Sequence, residues 1–178
     1  MSDVKKTEKH PEEQLWNEMK HVHAGMLGIE GSPSHMQPMG HMVDRENGKL
    51  WFFTSKDSDL VREMGEGAPA HFCVIGKGQD YHACLMGHLH RNDSRTKIDE
   101  YWNDMAGAWW NGKDDPNLQL LEFDLIDAAI WASTKNPIKF AWEIQTSKNS
   151  DKNPDLGARA HVEFRDGHMT HEQAGKRI

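Results

Sequence analysis

The sequence predicts a small antiparallel β-barrel with flanking helices, mainly β in class with α+β character. Three observations carry that expectation. Six or seven short stretches have strand patterning, and hairpin-type turns join several of them. Helical patterns are inserted between some strands but do not alternate with every one, as a doubly wound parallel sheet would require. A chain of 178 residues is also long enough to bury one core without disulfide staples.

Taken in order, Pro11 opens "PEEQLWNEMKHVHAG", where Leu15, Met19 and Val22 share a helical face and Gly25 can stop the helix in a left-handed cap. The pattern becomes strand-like from Met26. "SHMQPMGHMVD" leads through "RENGK" into "LWFFT", and Asn47-Gly48 is a strong hairpin signal because both positions of a type I′ turn need positive φ. Residues 35–44 and 49–54 are therefore expected to pair antiparallel. "SDLVREMGEG" reads as a short helix capped by Asp57 or Ser58 and ended by Gly65 and Gly67.

"PAHFCVIG" and "DYHACLMGHLHR" follow as two strands joined by Lys77-Gly78-Gln79. Next comes one helix, "DSRTKIDEYWNDMAGAWW", capped by Asp93 or Ser94, with Ile98, Tyr101, Trp102, Met105 and Trp109 as its apolar stripe. That stripe suits a core or a dimer interface. "NGKDDPN" is a loop, and "LQLLEFDLIDAAIWAS" supplies the last one or two strands, with a bend near Asp127. A short helix is expected from Asn136-Pro137 to about residue 147. Residues 148–178 read as a polar, mobile tail, so the folded domain is expected over 1–147.

The balance of 21 basic against 28 acidic residues, net charge -7, argues against nucleic-acid or anionic-membrane partners, which call for a basic patch. No apolar signal core follows the first residues, and no stretch reaches the ~18 apolar residues of a membrane span. A cytoplasmic protein is expected. Cys73 and Cys84 make no disulfide framework and read as reduced core thiols.

Chemistry concentrates in "TSKDS", where the apolar strand stops and a helix begins. Thr54, Ser55 and Ser58 offer hydroxyls and Lys56 a positive charge, the makings of an anion cradle. The same residues equally describe a capping box beside a solvated lysine.

"GKLWFFTSKDSDLVREM", the strand glycine of "CLMGHLH", and "KIDEYWNDMAGAWWNGKDDPNLQLLEFDLIDAAIWAS" together resemble the general-stress-protein branch of the pyridoxamine 5′-phosphate oxidase-like family. The likeness covers roughly residues 12 to 145. It implies a split β-barrel, and a homodimer that binds FMN in two clefts at the subunit interface. It further implies flavin-dependent oxidoreductase chemistry of a weak, general-stress kind, without genuine pyridoxamine 5′-phosphate oxidation. By that resemblance Phe53, Thr54, Ser55 and Ser58 contact the flavin and its phosphate tail, with Lys56 beside them, and Trp110 reaches the partner's cleft. Gln37, Pro38 and Met39 stand where the family carries an Arg-Pro-Met-like signature, and Leu60 where it carries a second cation. Both departures remove charge-assisted hydrogen bonds to a phosphate. A barrel without flavin, binding another ligand in the same cleft, is therefore the first rival reading.

The second rival uses the chain's twelve histidines. Strand alternation in "DYHACLMGHLHR" sets His82, Cys84, Met86, His88 and His90 on one face. A His-x-His pair there could converge on zinc, copper or haem, with His35 and His41 as a further source of ligands. The alternative is a barrel strand whose polar positions happen to be histidine. No metal ligand set and no catalytic side chain is assigned.

Overall fold

The computed structural model describes residues 4–134 and 157–175. Its nine strands form one antiparallel sheet, with hydrogen-bonded order β2-β1-β5-β6-β7-β4-β3 and a hairpin, β8–β9, added to β7. In chain order these are β1 (Ala24–Ile29), β2 (Gln37–Gly40), β3 (Met42–Asp44), β4 (Lys49–Ser55), β5 (Gly67–Ile75), β6 (Tyr81–Asn92), β7 (Leu118–Ser133), β8 (Gly157–Arg165) and β9 (His168–Gly175). The two ends of the seven-strand path, β2 and β3, are consecutive stretches of chain joined only by His41. The sheet therefore curls back on itself as a barrel. The helices α1 (Val4–Lys9), α2 (Pro11–His21), α3 (Asp59–Met64), α4 (Arg95–Tyr101) and α5 (Asp104–Trp109) flank it.

Alternation explains the interior. Leu50 and Phe52 of β4, Leu85 and Leu89 of β6, and Leu121 and Phe123 of β7 are fully buried. Phe52 meets Phe72 edge-on at 5.0 Å and Phe123 at 6.4 Å. Burying each such side chain contributes about 1.5–3 kcal/mol. The intervening residues of β4, Lys49, Trp51 and Phe53, lie on the opposite face, where Trp51 stacks on Tyr101 of α4 at 4.9 Å.

β7 is one strand, not two. It pairs along its length with β6, while its other edge is shared: residues 118–124 pair with β4 and residues 127–133 with β8. Ile126 is the extra residue between the Met86–Asp127 and Gly87–Leu125 pairs, a β-bulge at the bend expected near Asp127.

Several expectations are corrected. Only Met42–Asp44 forms the hairpin with β4, whereas Gln37–Gly40 pairs with β1. The turn is a four-residue loop, and only Gly48 has positive φ (61°). The reason is Asp44, whose carboxylate accepts from the Asn47 backbone N–H at 3.2 Å and side-chain amide at 2.9 Å. Gly25 caps no helix. It lies in β1, where the ring of Phe72 and the carbonyl of Cys73 fill the space a Cβ would take. The expected single helix over 93–110 breaks at Trp102 and Asn103, because the Asn103 side chain accepts from the Ala106 N–H and starts α5.

The largest correction concerns the tail. β8 sends Ala158, Ala160, Val162 and Phe164 into buried positions, and Phe164 packs edge-on against Trp16 of α2 at 5.8 Å. α1 and α2 lie over β8 and β9. The helix expected over 137–147 falls outside the described residues.

Candidate functional site

The end of β4 and the start of α3 form the hydroxyl-rich corner. Ser58 is the N-cap of α3: its Oγ accepts from the Val61 N–H and from Thr54 Oγ1, both at 3.3 Å, leaving its own O–H to donate. Thr54 is buried. Ser55 donates to Asp57 and accepts from the Asn117 amide at 2.8 Å. Lys56 donates its ammonium to the Pro116 carbonyl at 2.8 Å and its backbone N–H to Asn117 at 2.9 Å. The corner is thus stitched to the loop that follows Trp110. Trp110 itself closes α5 by donating to Ala106 and is half-buried.

A cleft of about 540 Å³ opens beside this corner, lined by the cations Lys56, Arg91, Arg95 and Lys113 and by the carboxylates Asp93, Asp114 and Asp115. Its apolar floor includes Leu118 and Leu120, the register partners of Ser55 and Phe53. Phe53 lies edge-on to Trp102 at 5.8 Å. Two of the cleft's cations are already neutralised: Arg95 pairs with Asp114 at 2.7 Å and Lys113 with Asp99 at 2.8 Å. Arg91 and Lys56 make no close ion pair among the described residues, although Asp115, held below its ordinary value by the Asn117 and Asn111 backbone N–H groups, is lowered further by the charge of Lys56. Arg91 donates to the Val61 carbonyl at 3.1 Å, so a single helical residue bridges it to Ser58.

Sequence reasoning missed Arg91. It lies on the opposite side of β6 from the histidines, at the end of the strand, and nothing local distinguishes it from a solvated arginine. The pocket's other cations come from segments remote in sequence.

The β2 residues take their ladder hydrogen bonds from β1 and not from β4. Met39 is buried, Gln37 half-buried and Pro38 exposed, and their ladder partners are Gly25, Leu27 and Met26 of β1. β2 keeps contact with β4, as expected from the register that continues past Met42–Trp51. Leu60 is a core residue, 4% exposed, and its side chain is turned away from any surface ligand.

The histidine face is present but does not converge. His82 and His88 are exposed, Cys84, Met86 and His90 half-buried, all on the outer side of the sheet. Cys73 and Cys84 are likewise half-buried free thiols on that outer face, not core residues. His90, Glu122 and Asp124 bring their ligand atoms within 4.8 Å of one another. The ammonium of Lys49 is already bound there, to Glu122 and, at 2.9 Å, to Asp124. Burial works against both charges, yet these hydrogen bonds raise Lys49 and lower Glu122 from their ordinary values. The cluster reads as a satisfied ion-pair network.

Comparison with known proteins gives a consistent result. The family model described as pyridoxamine 5′-phosphate oxidase like matches residues 10–155. General stress protein 26 of Bacillus subtilis (strain 168) is 30% identical over 90 residues, which span 48% of this chain and 64% of that protein. A crystal structure from Jannaschia sp. CCS1 assigned to general stress protein 26 superposes with a TM-score of 0.69 at 34% identity, covering 85% of this chain and 97% of its own. The general stress FMN/FAD binding protein from Xanthomonas citri gives a TM-score of 0.63 at 36% identity, over 67% of this chain and 87% of that one.

Proposed function

Since the chain belongs to the pyridoxamine 5′-phosphate oxidase-like family and has its split-barrel fold, we propose that it binds FMN at the end of β4, as a cytoplasmic flavoprotein of the general-stress type. The observation that carries this reading is a cleft lined by four cations, Lys56, Arg91, Arg95 and Lys113, against three carboxylates, Asp93, Asp114 and Asp115, in which Arg91 and Lys56 stand outside the ion pairs. A phosphate dianion needs such donors, and hydrogen bonds to a charged group contribute about 1.5–3 kcal/mol each. They stand in for the cations absent at Gln37 and Leu60. Phe53, the register partner of the cleft residue Leu120, lies edge-on to Trp102 and adds aromatic surface suited to a ring system. The residues present therefore fit the phosphate end of the flavin.

Bound there, FMN would supply the redox chemistry, and the polypeptide would supply grip, orientation and restricted access. Thr54 holds Ser58 in place, and the Ser55–Asn117 bond fixes the wall formed by the Trp110 loop. No side chain is proposed to do pyridoxamine 5′-phosphate oxidation. Support for a homodimer with the site at its seam comes from α5, which runs into the loop that lines the cleft and leaves Trp109 81% and Met105 51% exposed.

Titration of the purified protein with FMN, followed by flavin absorbance at about 450 nm, tests the assignment. Saturable binding is expected, weakened about tenfold or more in Arg91→Ala and in Lys56→Ala, the equivalent of one charged hydrogen bond. No binding at any FMN concentration overturns it. The buried position of Leu60 favours one second reading, a barrel that takes a different anion in the same cleft. In that case Gln37→Arg gives no gain in FMN affinity.

A further inference from the structure

We propose that Cys73 and Cys84 form a peroxide-oxidisable dithiol that closes to a disulfide across β5 and β6. The two are register partners. Cα atoms of antiparallel partners are about 4.5–5.5 Å apart, inside the range of about 4.4–6.8 Å that a disulfide spans. Their sulfurs lie 3.4 Å apart in a thiol–thiol hydrogen bond. On either side the buried pairs Phe72–Leu85 and Val74–Ala83 hold the register, so the thiols meet without any sliding of the strands.

Reactivity is divided between the two sulfurs. The hydrogen bond with Cys84 brings the Cys73 thiol down to about 7, so thiolate is plentiful at neutral pH. The same bond, with burial, pushes Cys84 up. His71 Nδ1 lies 3.8 Å from the Cys84 sulfur, placed to hold that proton in transit. Both thiols are half-buried, and Met26, the partner of Cys73 on its other side, is 41% exposed, which leaves a small oxidant a way in.

With a hydroperoxide as oxidant the steps balance. The Cys73 thiolate attacks one peroxide oxygen, the O–O bond breaks, and hydroxide leaves and is protonated to water, giving a sulfenic acid on Cys73. The Cys84 sulfur then attacks the Cys73 sulfur. The S–S bond forms, the S–O bond breaks, and the departing hydroxide takes the Cys84 proton as a second water. Two thiols lose two electrons and two protons, and hydrogen peroxide becomes two waters. A dithiol reductant reverses the change by exchange.

The experiment treats the full chain with hydrogen peroxide and follows intact mass and alkylatable thiols. Both thiols should disappear together with a mass loss of about 2 Da, within one chain, and return with dithiothreitol. Cys84→Ser should instead leave a sulfenic acid on Cys73 that a dimedone-type probe traps, and Cys73→Ser should label far less. Thiols that stay alkylatable, a cross-link between two chains, or a sulfinic acid without loss of the partner thiol would each overturn the proposal. The wild-type measurement decides the matter even if the serine variants fold poorly, and none of these readouts needs flavin.

Discussion

Glu122 shows how much one outward-facing carboxylate can organise. It accepts from Lys49 and from the Asn92 amide at 2.6 Å, and lies 3.2 Å from His90 Nε2. Because its folded value is held below the ordinary 4.5, the stability it contributes is present above that pH and is lost as pH falls through the lower folded value. Lys49 has the opposite sign: its contribution is full below its ordinary 10.5 and lost as pH rises through the raised value. Glu122→Gln is therefore expected to cost about 1–3 kcal/mol at neutral pH and to flatten the acid limb of stability. Urea unfolding at neutral and acid pH measures both. An unchanged acid limb would mean that other carboxylates control it.

At the scale of elements, two hairpin tips lock together. A Cβ on Gly48, in the β3–β4 loop, would meet the Gly167 carbonyl oxygen at 2.6 Å, and one on Gly167, in the β8–β9 turn, would meet the Asn47 carbonyl oxygen at 2.3 Å. Both atoms belong to backbone that cannot swing aside. Gly48→Ala should therefore cost about 2–3 kcal/mol in unfolding free energy, the left-handed strain of about 1 kcal/mol plus the crowding against Gly167. A loss of only about 1 kcal/mol, the bare strain, would show that the tips are free to part. Asn47-Gly48 marked this turn in the sequence. Its length was hidden, because the capture of Asn47 by Asp44 is a side-chain event that the dipeptide does not announce.

Across the whole molecule, the barrel was legible wherever large apolar residues alternate, as in Leu50, Phe52 and the run through Leu121 and Phe123. β8 escaped notice because its inward positions include Ala158 and Ala160, small side chains whose hydropathy is diluted by Arg159, His161 and Glu163 between them. Phe164 tests how far that hairpin belongs to the core: Phe164→Ala should cost about 3 kcal/mol in thermal or urea unfolding, whereas a loosely attached tail would show almost no change. The candidate site was half legible. The hydroxyl corner is contiguous in sequence, but Arg91 joins it only through the folding of β6 beneath α3.

The closure of the strand path through His41 alone has a consequence for how this chain can vary. Successive residues of a strand point to opposite sides, so one residue added or deleted between Gly40 and Met42 would exchange the inside and outside of everything from there to the next loop. A longer turn elsewhere would leave the facing of the strands intact, whereas between positions 37 and 44 the spacing should be kept to the residue, whatever letters fill it.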